Sequence, residues 1–463
     1  METALLIDIG STFTKTILLD LEKLEIVAKS QSYTTVQEGV NLGLKRALAE
    51  VSDWKKAKYK LACSSAKGGL KLIAIGLVPR LTAEAAKRAA LGAGSKVLKI
   101  YSYQLTSDDI TDIINYEPDI LLLTGGTDGG NRQNIITNAV KLAEISSNAP
   151  VIVAGNRNAA REVKGILRTA GKEVYVTENV MPELEKLNIE PARKMIRKIF
   201  LQKIIKARGL NVVEELIDGI IMPTPLAVMK AAELLADGHD ENTGIGELMI
   251  IDVGGATTDV HSVASGSPRK DNVSLQGLQE PYVKRTVEGD LGMRYSLPSL
   301  FENIDIVSLK KQFAKIGYNI SEEELWEFLK KLNSDFSLTT TGKERCLENT
   351  LAFYAVQIAV ERHVGKIRSI YTPLGHVYIQ EGKDLSGLRY IVGTGGIIVQ
   401  NNTQGEYIAS GALYKNQIVP ETLAPIDAKI LIDSHYILAA AGLLAEIEPS
   451  KSLQFMKKYF NLT

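Results

Sequence analysis

Two short stretches of the sequence place an aspartate at the end of an apolar run and follow it with small and hydroxyl-bearing residues. They are "DIGSTFTK" (8–15) and "DVGGATTD" (252–259). Glycine permits a tight turn, and hydroxyls beside backbone N–H groups can bind phosphate oxygens. An aspartate at such a turn can hold Mg²⁺ through its waters, because Mg²⁺ uses few carboxylates. Binding of a magnesium–phosphate group is therefore the chemistry that these residues suggest.

In the first stretch each residue has a candidate role. Gly10 gives the turn, Ser11 and Thr12 offer hydroxyls to phosphate oxygens, and Lys15 brings a positive charge to the terminal phosphates. Asp8 is the candidate metal-side carboxylate. The alternative is a plain hairpin with a capping aspartate.

The second stretch repeats the pattern with more glycine. Asp252 ends an apolar run, and Gly254 and Gly255 let the backbone approach a ligand. Thr257 can bind phosphate, and Asp259 can help to hold an attacking water or the metal shell. The alternative is a β-turn that needs glycine for its backbone angles. Two such turns in one chain make this alternative weaker.

A third glycine-rich turn, "GTGG", follows the apolar run "LRYIV" late in the chain. It consists of Gly393, Thr394, Gly395 and Gly396, and it would bring the backbone close to a flat or charged ligand. The sequence contains no "GxxxxGK[ST]" phosphate loop and no clean dinucleotide fingerprint. Alone, this turn is weak support for a binding site.

The elements around these turns predict an α/β fold. Residues 1–20 and 247–263 each indicate a β-hairpin, so the second half opens as the first does, which fits a distant duplication at best. Residues 70–177 alternate apolar strands with helices of about ten residues, which predicts a parallel sheet. Residues 190–237 and 307–370 look mostly helical, and a small-residue helix follows at 433–447.

Within the parallel region, Leu121–Asn134 ends a strand in closely spaced glycine and polar residues. Ligands collect at the carboxyl ends of parallel strands, so this loop is either a second ligand or partner surface or a tight turn with Asn131 near a helix start. The sequence leaves both interpretations open.

The length, net charge and cysteine content of the chain limit the functions that it can have. The 463 residues exceed one typical core, and the formal net charge is zero because Lys+Arg and Asp+Glu both number 54. A neutral chain argues against bulk electrostatic binding of nucleic acid or of an anionic membrane. The two cysteines fit neither a metal spacing nor a disulfide framework, and the start of the chain lacks a signal-peptide pattern. We expect a cytoplasmic protein with no nucleic-acid or membrane partner.

In this order the three turns resemble the sugar kinase/Hsp70/actin superfamily, with its phosphate-1, phosphate-2 and adenosine motifs. "PTPLAVMKAAELL" and "YILAAAGLLA" occupy the positions of its two connecting helices, and the small residues Ala439–Gly442 would let these helices cross closely at a hinge. The resemblance implies two actin-like lobes with ribonuclease H-like halves and a Mg–ATP cleft. The expected lobes are 1–237, with an inserted parallel α/β region at 70–177, and 238–463, with a helical segment at 307–370.

Further stretches narrow the resemblance to the GlmL family, also called MutL. They are "LTGGTDGGN", "TENVMPELEKLN", "PTPLAV", "IDVGGATTDVHSV" and "RTVEGDLGMR". That family is encoded with adenosylcobalamin-dependent aminomutases such as glutamate mutase and is taken to be their reactivating factor. It is unrelated to the mismatch-repair protein of the same name.

The family resemblance assigns roles residue by residue. Asp8 and Asp252 would be metal-side carboxylates, and Asp259 would assist catalysis. Phosphate contacts would come from Gly10, Ser11, Thr12, Lys15, Gly254, Gly255 and Thr257, and contacts to the nucleoside from Gly393, Thr394, Gly395 and Gly396. ATP and Mg²⁺ are the implied cofactors, and a slow Mg-dependent ATPase is the implied activity.

Three hypotheses follow. The first is an ATP-driven factor that releases damaged cobalamin from an adenosylcobalamin-dependent mutase. The second is a small-metabolite kinase of the same superfamily, and the third is a nucleotide-binding, actin-like assembly module. The sequence leaves open which mutase is the target and whether the protein is a homodimer. It also leaves open whether hydrolysis is appreciable without the partner.

Overall fold

The computed structural model describes residues 2–10, 12–34, 40–65, 70–204, 217–218, 220–334, 340–373, 375–400 and 404–462. The chain forms two compact units. The first comprises Met1–Ala231 and Ala439–Phe455, and the second comprises Ala232–Leu438 and Met456–Thr463. Ser11, one of the predicted phosphate contacts, lies outside the described residues.

Two sheets and their helices make up most of the first unit. Its strands are β1 (Thr3–Ile9), β2 (Phe13–Asp20), β3 (Glu25–Tyr33), β4 (Tyr59–Ser64), β5 (Lys71–Gly76), β6 (Lys96–Ser102), β7 (Ile120–Leu123), β8 (Val151–Val153), β9 (Val174–Val176) and β10 (Ile220–Pro223). Its helices are α1 (Val40–Ala49), α2 (Glu84–Gly92), α3 (Ser107–Tyr116), α4 (Gln133–Glu144), α5 (Arg157–Thr169), α6 (Glu190–Ile199) and α7 (Thr224–Asp237), which runs past Ala231. Short 3₁₀ or π turns lie at Trp54–Lys56, Pro79–Ala83 and Phe200–Ile204.

The first sheet positions Asp8. Its strand order is β10-β4-β1-β2-β3, with β1–β2 and β2–β3 antiparallel and β1–β4 and β4–β10 parallel. In chain order this is 3-2-1-4-5, the arrangement of a ribonuclease H-like sheet. The central strand β1 is apolar and buried except at Asp8, as expected for a strand covered on both faces.

The prediction of an inserted parallel α/β region is confirmed. Its sheet has the order β6-β5-β7-β8-β9, and every pair is parallel. Helices α2 to α5 connect successive strands, and the region has its own apolar core, including Ile75, Leu123 and Val153. The chain enters the insert after β4 and returns at β10, so the insert separates the fourth and fifth strands of the first sheet.

The loop after β7 is held by side-chain amides. The Asn179 side chain donates to the Gly126 carbonyl at 3.0 Å, and the Asn134 backbone N–H donates to Asn131 at 3.0 Å. The Asn156 side chain also donates to the carbonyls of Gly130 and Asn131. These bonds fix a tight strand-to-helix turn. A ligand or partner role for Leu121–Asn134 stays a prediction.

The second unit repeats the mixed sheet. Its strands are β11 (Gly238–His239), β12 (Asn242–Thr243), β13 (Leu248–Val253), β14 (Thr258–Val263), β15 (Val273–Gln276), β16 (Val283–Glu288), β17 (Lys366–Thr372), β18 (Gly375–Glu381), β19 (Tyr390–Thr394) and β20 (Lys429–Ile432). The helices that follow α7 are α8 (Leu297–Glu302), α9 (Ile306–Lys315), α10 (Glu322–Ser334), α11 (Gly342–His363), α12 (Gly396–Val399), α13 (Gly405–Ala409), α14 (Ile437–Ala445) and α15 (Pro449–Tyr459). Short 3₁₀ turns lie at Ser410–Ala412 and Tyr414–Asn416.

The main sheet of this unit has the order β16-β14-β13-β19-β20. The first two pairings of β13 match those of β1: β14 is antiparallel and β19 is parallel. Helix α11 packs against this sheet in a core that includes Ile251, Val260, Leu351 and Ala355. The prediction of an α/β chain with two ribonuclease H-like halves is confirmed.

Three element predictions need correction. Strand β10 interrupts the segment 190–237, and β17 ends the segment 307–370, both of which were predicted as helical. Short apolar runs such as "IIMP" cannot be assigned to strand or helix by periodicity alone. The last predicted helix begins at Ile437 instead of residue 433, and a further helix, α15, follows it.

Two helices of the first unit meet closely, as the small residues predicted. A Cβ added at Gly442 in α14 would lie 1.8 Å from the Ala227 carbonyl oxygen in α7, so only glycine fits this crossing. Cys63 and Cys346 are free thiols. Among the described residues, no helix combines the length and apolar character needed to span a membrane.

Candidate functional site

The two aspartate hairpins have the same turn. In the first, the Gly10 N–H donates to the Phe13 carbonyl at 3.0 Å, and in the second the Gly254 N–H donates to the Thr257 carbonyl at 2.9 Å. Each glycine lies two positions after the aspartate. A Cβ at Gly10 would lie 2.7 Å from the Phe13 oxygen, which explains the small residue there.

Asp8 is half-buried near the end of β1, and its side chain contacts two neighbouring elements, β4 and α7. Its Oδ1 accepts a hydrogen bond from the Thr224 hydroxyl at 2.7 Å, at the start of α7. The Cys63 thiol on β4 lies 3.6 Å from the same oxygen. In the parallel pairing of β1 and β4, Asp8 is the direct partner of Cys63. These contacts therefore fix the orientation of one Asp8 carboxylate oxygen, Oδ1.

Cys63 is fully buried, and its thiol is inert as an acid. Burial, followed by the charge of Asp8, raises the pKa of Cys63 well above its ordinary value. The thiol therefore stays protonated at neutral pH, and it can donate to Asp8 or to the Ile7 carbonyl, 3.7 Å away.

The other predicted residues of the first hairpin lie near Asp8. Lys15 is the direct antiparallel partner of Asp8 across the hairpin and is half-buried. Thr12 is exposed, and its carbonyl accepts a hydrogen bond from the Thr34 N–H at 2.7 Å. The hairpin thus places a carboxylate, an ammonium group and an exposed threonine at one end of the sheet.

In the second hairpin Asp252 faces another carboxylate, because its antiparallel partner is Asp259. Arg285, on β16, donates to Asp259 Oδ1 through Nη2 at 2.8 Å and Nε at 3.1 Å. The Thr257 hydroxyl donates to Asp259 Oδ2 at 3.0 Å. With side-chain exposures of 4% for Arg285 and 14% for Asp259, this ion pair is largely removed from water.

His261 lies two residues beyond Asp259 on β14 and is buried. Burial, followed by the charge of Arg285, lowers the pKa of His261 to about 3. The imidazole is therefore neutral at physiological pH, and the Arg285 guanidinium is the cation that compensates Asp259.

The Gly254–Gly255 turn is hydrogen-bonded to the segment that follows β16. The Gly255 carbonyl accepts hydrogen bonds from the backbone N–H groups of Arg294 (2.8 Å) and Tyr295 (2.9 Å). Arg294 also forms an ion pair with the buried Glu348 at 2.6 Å. An added Cβ at Gly255 would make ordinary van der Waals contact with Arg294, 3.7 Å away, so this position has room for a methyl group.

The third predicted turn adjoins the second hairpin. β19 pairs in parallel with β13, and Thr394 is the direct partner of Asp252. Gly395 has φ +96°, and a Cβ there would lie 2.3 Å from the Val253 carbonyl oxygen and 2.8 Å from Asp252 Oδ1. Glycine is therefore required at this position, both by its backbone angle and by the proximity of Asp252.

Asp433 and Tyr436 were not predicted, yet both lie at this turn. Asp433 is buried and accepts hydrogen bonds from the Thr394 hydroxyl (3.1 Å) and from the Ile437 N–H (2.8 Å) at the start of α14. Burial, then the charges of Asp252 and Asp433, raises the pKa of Tyr436, so its phenol stays a hydrogen-bond donor.

The structure therefore groups the predicted residues by unit. Asp8, Gly10, Thr12 and Lys15 lie at one end of the first sheet, and the predicted residues between Asp252 and Gly396 lie at the corresponding end of the second. Sequence reasoning missed Thr224, Cys63, Arg285, Asp433 and Tyr436. For Thr224 a signal existed, since a hydroxyl residue between two prolines follows an apolar run there.

The donor chemistry fits magnesium and phosphate better than a transition metal. In the described part of the chain, no group of three or more His, Cys, Asp or Glu side chains is arranged to hold a metal ion. Each hairpin instead offers a half-buried carboxylate beside a glycine turn. One or two carboxylates, with waters and phosphates, make the usual magnesium shell at nucleotide sites.

The paired sheets, each with an aspartate hairpin at its centre, define an actin-like ATPase fold. The family model described as "MutL protein" matches residues 4–460. Protein MutL of Clostridium tetanomorphum is 47% identical over 466 residues, which cover 99% of both chains. The chain belongs to the MutL family.

Two solved structures align with nearly the whole chain at low sequence identity. The activator of 2-hydroxyisocaproyl-CoA dehydratase from Clostridium difficile, with bound ADPNP, is 12% identical over 98% of this chain and 97% of its own, with a TM-score of 0.32. Plasmodium falciparum glycerol kinase with ADP is 13% identical over 99% of this chain and 92% of its own, with a TM-score of 0.34. These scores are too low to bear on ligand or activity.

Proposed function

We propose that this protein is an ATP-binding and ATP-hydrolysing reactivating factor for an adenosylcobalamin-dependent aminomutase of the glutamate mutase type. It would act in the cytoplasm and promote the exchange of damaged cobalamin for intact cofactor. Membership of the MutL family supports the target class, because the family resemblance implies a mutase partner.

The observation that supports nucleotide binding is the repeated hairpin. A half-buried aspartate, a glycine turn with the same hydrogen bond, and the same central place in a sheet occur in both units. A single hairpin of this kind is explained by turn geometry. Turn geometry alone does not explain why both copies break a buried apolar strand with a carboxylate.

The proposed binding roles follow from the side chains. Asp8 and Asp252 hold Mg²⁺, which when bound neutralises phosphate charge. Lys15 adds a cation near the phosphates, and the turns at Gly10–Thr12 and Gly254–Thr257 offer backbone N–H groups and hydroxyls. The glycines of the Gly393–Gly396 turn admit the nucleoside. These groups match what phosphoryl transfer needs, which is positioning and charge stabilisation.

Asp259 has a distinct proposed role. Arg285 and Thr257 fix its orientation, so it can accept a hydrogen bond from a water without turning. Arg285 also offsets its negative charge opposite the second carboxylate, Asp252. It is suited to orient the attacking water more than to bind the metal.

The proposal is tested with the cognate mutase after inactivation. Purified protein and Mg–ATP are added with fresh adenosylcobalamin, and recovered mutase activity and released damaged cobalamin are measured. Recovery is expected with ATP, and little with ADP or without nucleotide. Absence of recovery with the cognate mutase would refute reactivation. Substrate-dependent ADP release in a metabolite screen would favour a kinase instead, and ATP-dependent polymers without turnover would favour an assembly module.

A further inference from the structure

The two oxygens of the Asp8 carboxylate have different surroundings. Oδ1 accepts the Thr224 hydroxyl at 2.7 Å and lies 3.6 Å from the Cys63 thiol. From the residues that the structure describes, no hydrogen bond reaches Oδ2. One oxygen is thus engaged by the protein, and the other is left for an outside partner.

The fold brings Thr224 to this oxygen through three adjacent strands. Asp8 pairs with Cys63 across β1 and β4, and Cys63 pairs with Met222 across β4 and β10. Thr224 follows two residues later as the first residue of α7. It lies between Pro223 and Pro225, which restrict its backbone, and its branched side chain has few rotamers. The hydroxyl is therefore held in place by local structure.

The hydroxyl has one proton and two acceptors within reach. The Thr224 Oγ1 atom lies 2.7 Å from Asp8 and 3.6 Å from the Cys63 sulfur. The short bond to the carboxylate oxygen is stronger than the long contact with sulfur, because hydrogen bonds weaken with distance and sulfur is a weak acceptor. The proton therefore lies toward Asp8, and it fixes the rotation of the carboxylate.

We propose that Thr224 is a positioning residue that turns Asp8 Oδ2 toward Mg²⁺, a role that rests on the proposed nucleotide function. In the second unit the helix after the fifth strand begins near Asp433, which accepts hydrogen bonds from Thr394 and the Ile437 N–H, and the charge of Asp252 acts on Tyr436. Thr224 therefore makes the metal affinity of the first hairpin depend on the start of α7.

The test is the magnesium dependence of nucleotide binding, measured with a fluorescent ATP analogue and without turnover. Thr224→Val keeps the shape and removes the hydroxyl. We expect it to raise the Mg²⁺ concentration at half-maximal binding by about tenfold, while binding measured in EDTA changes little. Thr224→Ser restores the hydroxyl and should lie within about threefold of wild type. Thr16→Val, which removes a buried hydroxyl bonded to Ser30, is the matched control and should not change the magnesium dependence.

The outcomes separate the two proposals. A folded Thr224→Val protein with wild-type magnesium dependence overturns the role of Thr224, and so does a Thr224→Ser protein as defective as Thr224→Val. Should Thr224→Val fail to fold, Thr224→Ala and Thr224→Ser are compared in its place with the same expectation. Wild-type protein that binds no nucleotide at any magnesium concentration refutes the proposed function itself.

Discussion

The hairpins at 8–15 and 252–259 have the same turn but opposite electrostatics. In the first, Asp8 is paired directly with Lys15, and in the second Asp252 is paired directly with Asp259. Opposite charges across an antiparallel pair stabilise it, and like charges destabilise it. The first hairpin is therefore neutral as a pair, whereas the second has two carboxylates that need a cation.

The strand beside each hairpin, β3 or β16, also differs in the charge that it places next to the hairpin. In register with Lys15, β3 places the neutral Gln31. In register with Asp259, β16 places Val287, and Arg285, two residues earlier on the same strand, forms the ion pair with Asp259. The positive charge that the second hairpin lacks is thus provided by the neighbouring strand, β16. The fold thus keeps the hydrogen bond of the turn constant and varies the charges around it, since the first hairpin places a lysine opposite its aspartate and the second places another aspartate there.

The largest expected effect comes from neutralising either first-strand aspartate. Asp8→Asn and Asp252→Asn should each lower Mg-dependent ATPase turnover by roughly a hundred- to a thousandfold, because in the proposed function each carboxylate holds the magnesium that acts on the reacting phosphates. Steady-state ADP release measures this. Asp112→Asn, at an exposed position with 46% side-chain exposure, is the control. Full activity in one of the two variants would show that the hairpins are not equivalent metal-side groups.

Removing the compensating arginine should destabilise the second unit. Arg285→Met leaves Asp259 largely buried and unpaired opposite Asp252, and we expect a loss of about 3 kcal/mol in the free energy of unfolding. Urea denaturation measures it. Arg132→Met breaks an exposed pair with Glu162 and should cost less than about 1 kcal/mol. Adding Asp259→Asn to Arg285→Met should recover part of the loss, and no recovery would contradict the electrostatic explanation.

The two turns can be compared by the loss of stability when the glycine at the same position of each, Gly10 or Gly254, is replaced. A Cβ would lie 2.7 Å from a backbone oxygen at Gly10 but 3.0 Å at Gly254. We expect Gly10→Ala to destabilise by about 2 kcal/mol and Gly254→Ala by about 1 kcal/mol, because overpacking a rigid backbone costs about 1–3 kcal/mol. Thermal unfolding ranks the two. Gly165→Ala, in helix α5 with nothing within 4 Å, should be neutral or stabilising. The reverse ranking of the turns would argue that they are not built alike.

The smallest expected effect concerns the ion pair between Arg362 and Asp290, just after the end of β16. Burial tends to raise the pKa of Asp290, but the hydrogen bond and charge of Arg362 outweigh it and leave this pKa lowered. The stabilisation is therefore complete above the ordinary aspartate pKa of about 3.9 and is lost as the pH falls through the folded-state value. Arg362→Met should cost about 1 kcal/mol near neutral pH, and this difference should shrink on acidification. A difference that grows in acid would contradict the ion pair.

The hairpins, the inserted parallel sheet and the family could be predicted from the sequence, because each depends on local patterns. Buried runs such as "LLIDI", alternating strands and helices, and an aspartate before glycine are visible without tertiary structure. The order of the second sheet could be expected only by resemblance, since its strands are separated by long helical segments.

The partners of the site residues could not be predicted, because they come from distant elements. Thr224 reaches Asp8 only through β10, a four-residue strand that was predicted as helix, and Arg285 reaches Asp259 from a different strand, β16. Asp433 reaches Thr394 through the fifth strand of its sheet, β20, which was not predicted. Pairing between strands is set by burial and register, which one sequence does not display.

The long insert between β4 and β10 has a consequence for biosynthesis. The hydrogen bond from Thr224 to Asp8 joins residues separated by 216 positions. A ribosome adds about 5–20 residues per second, so the first hairpin and β4 wait on the order of ten seconds before β10 emerges. During that interval the outer edge of β4 has no strand beside it, and unpaired edges invite wrong pairing. Completion of the Asp8 site is thus a late event in the life of the nascent chain, after the inserted sheet has had time to fold around its own core.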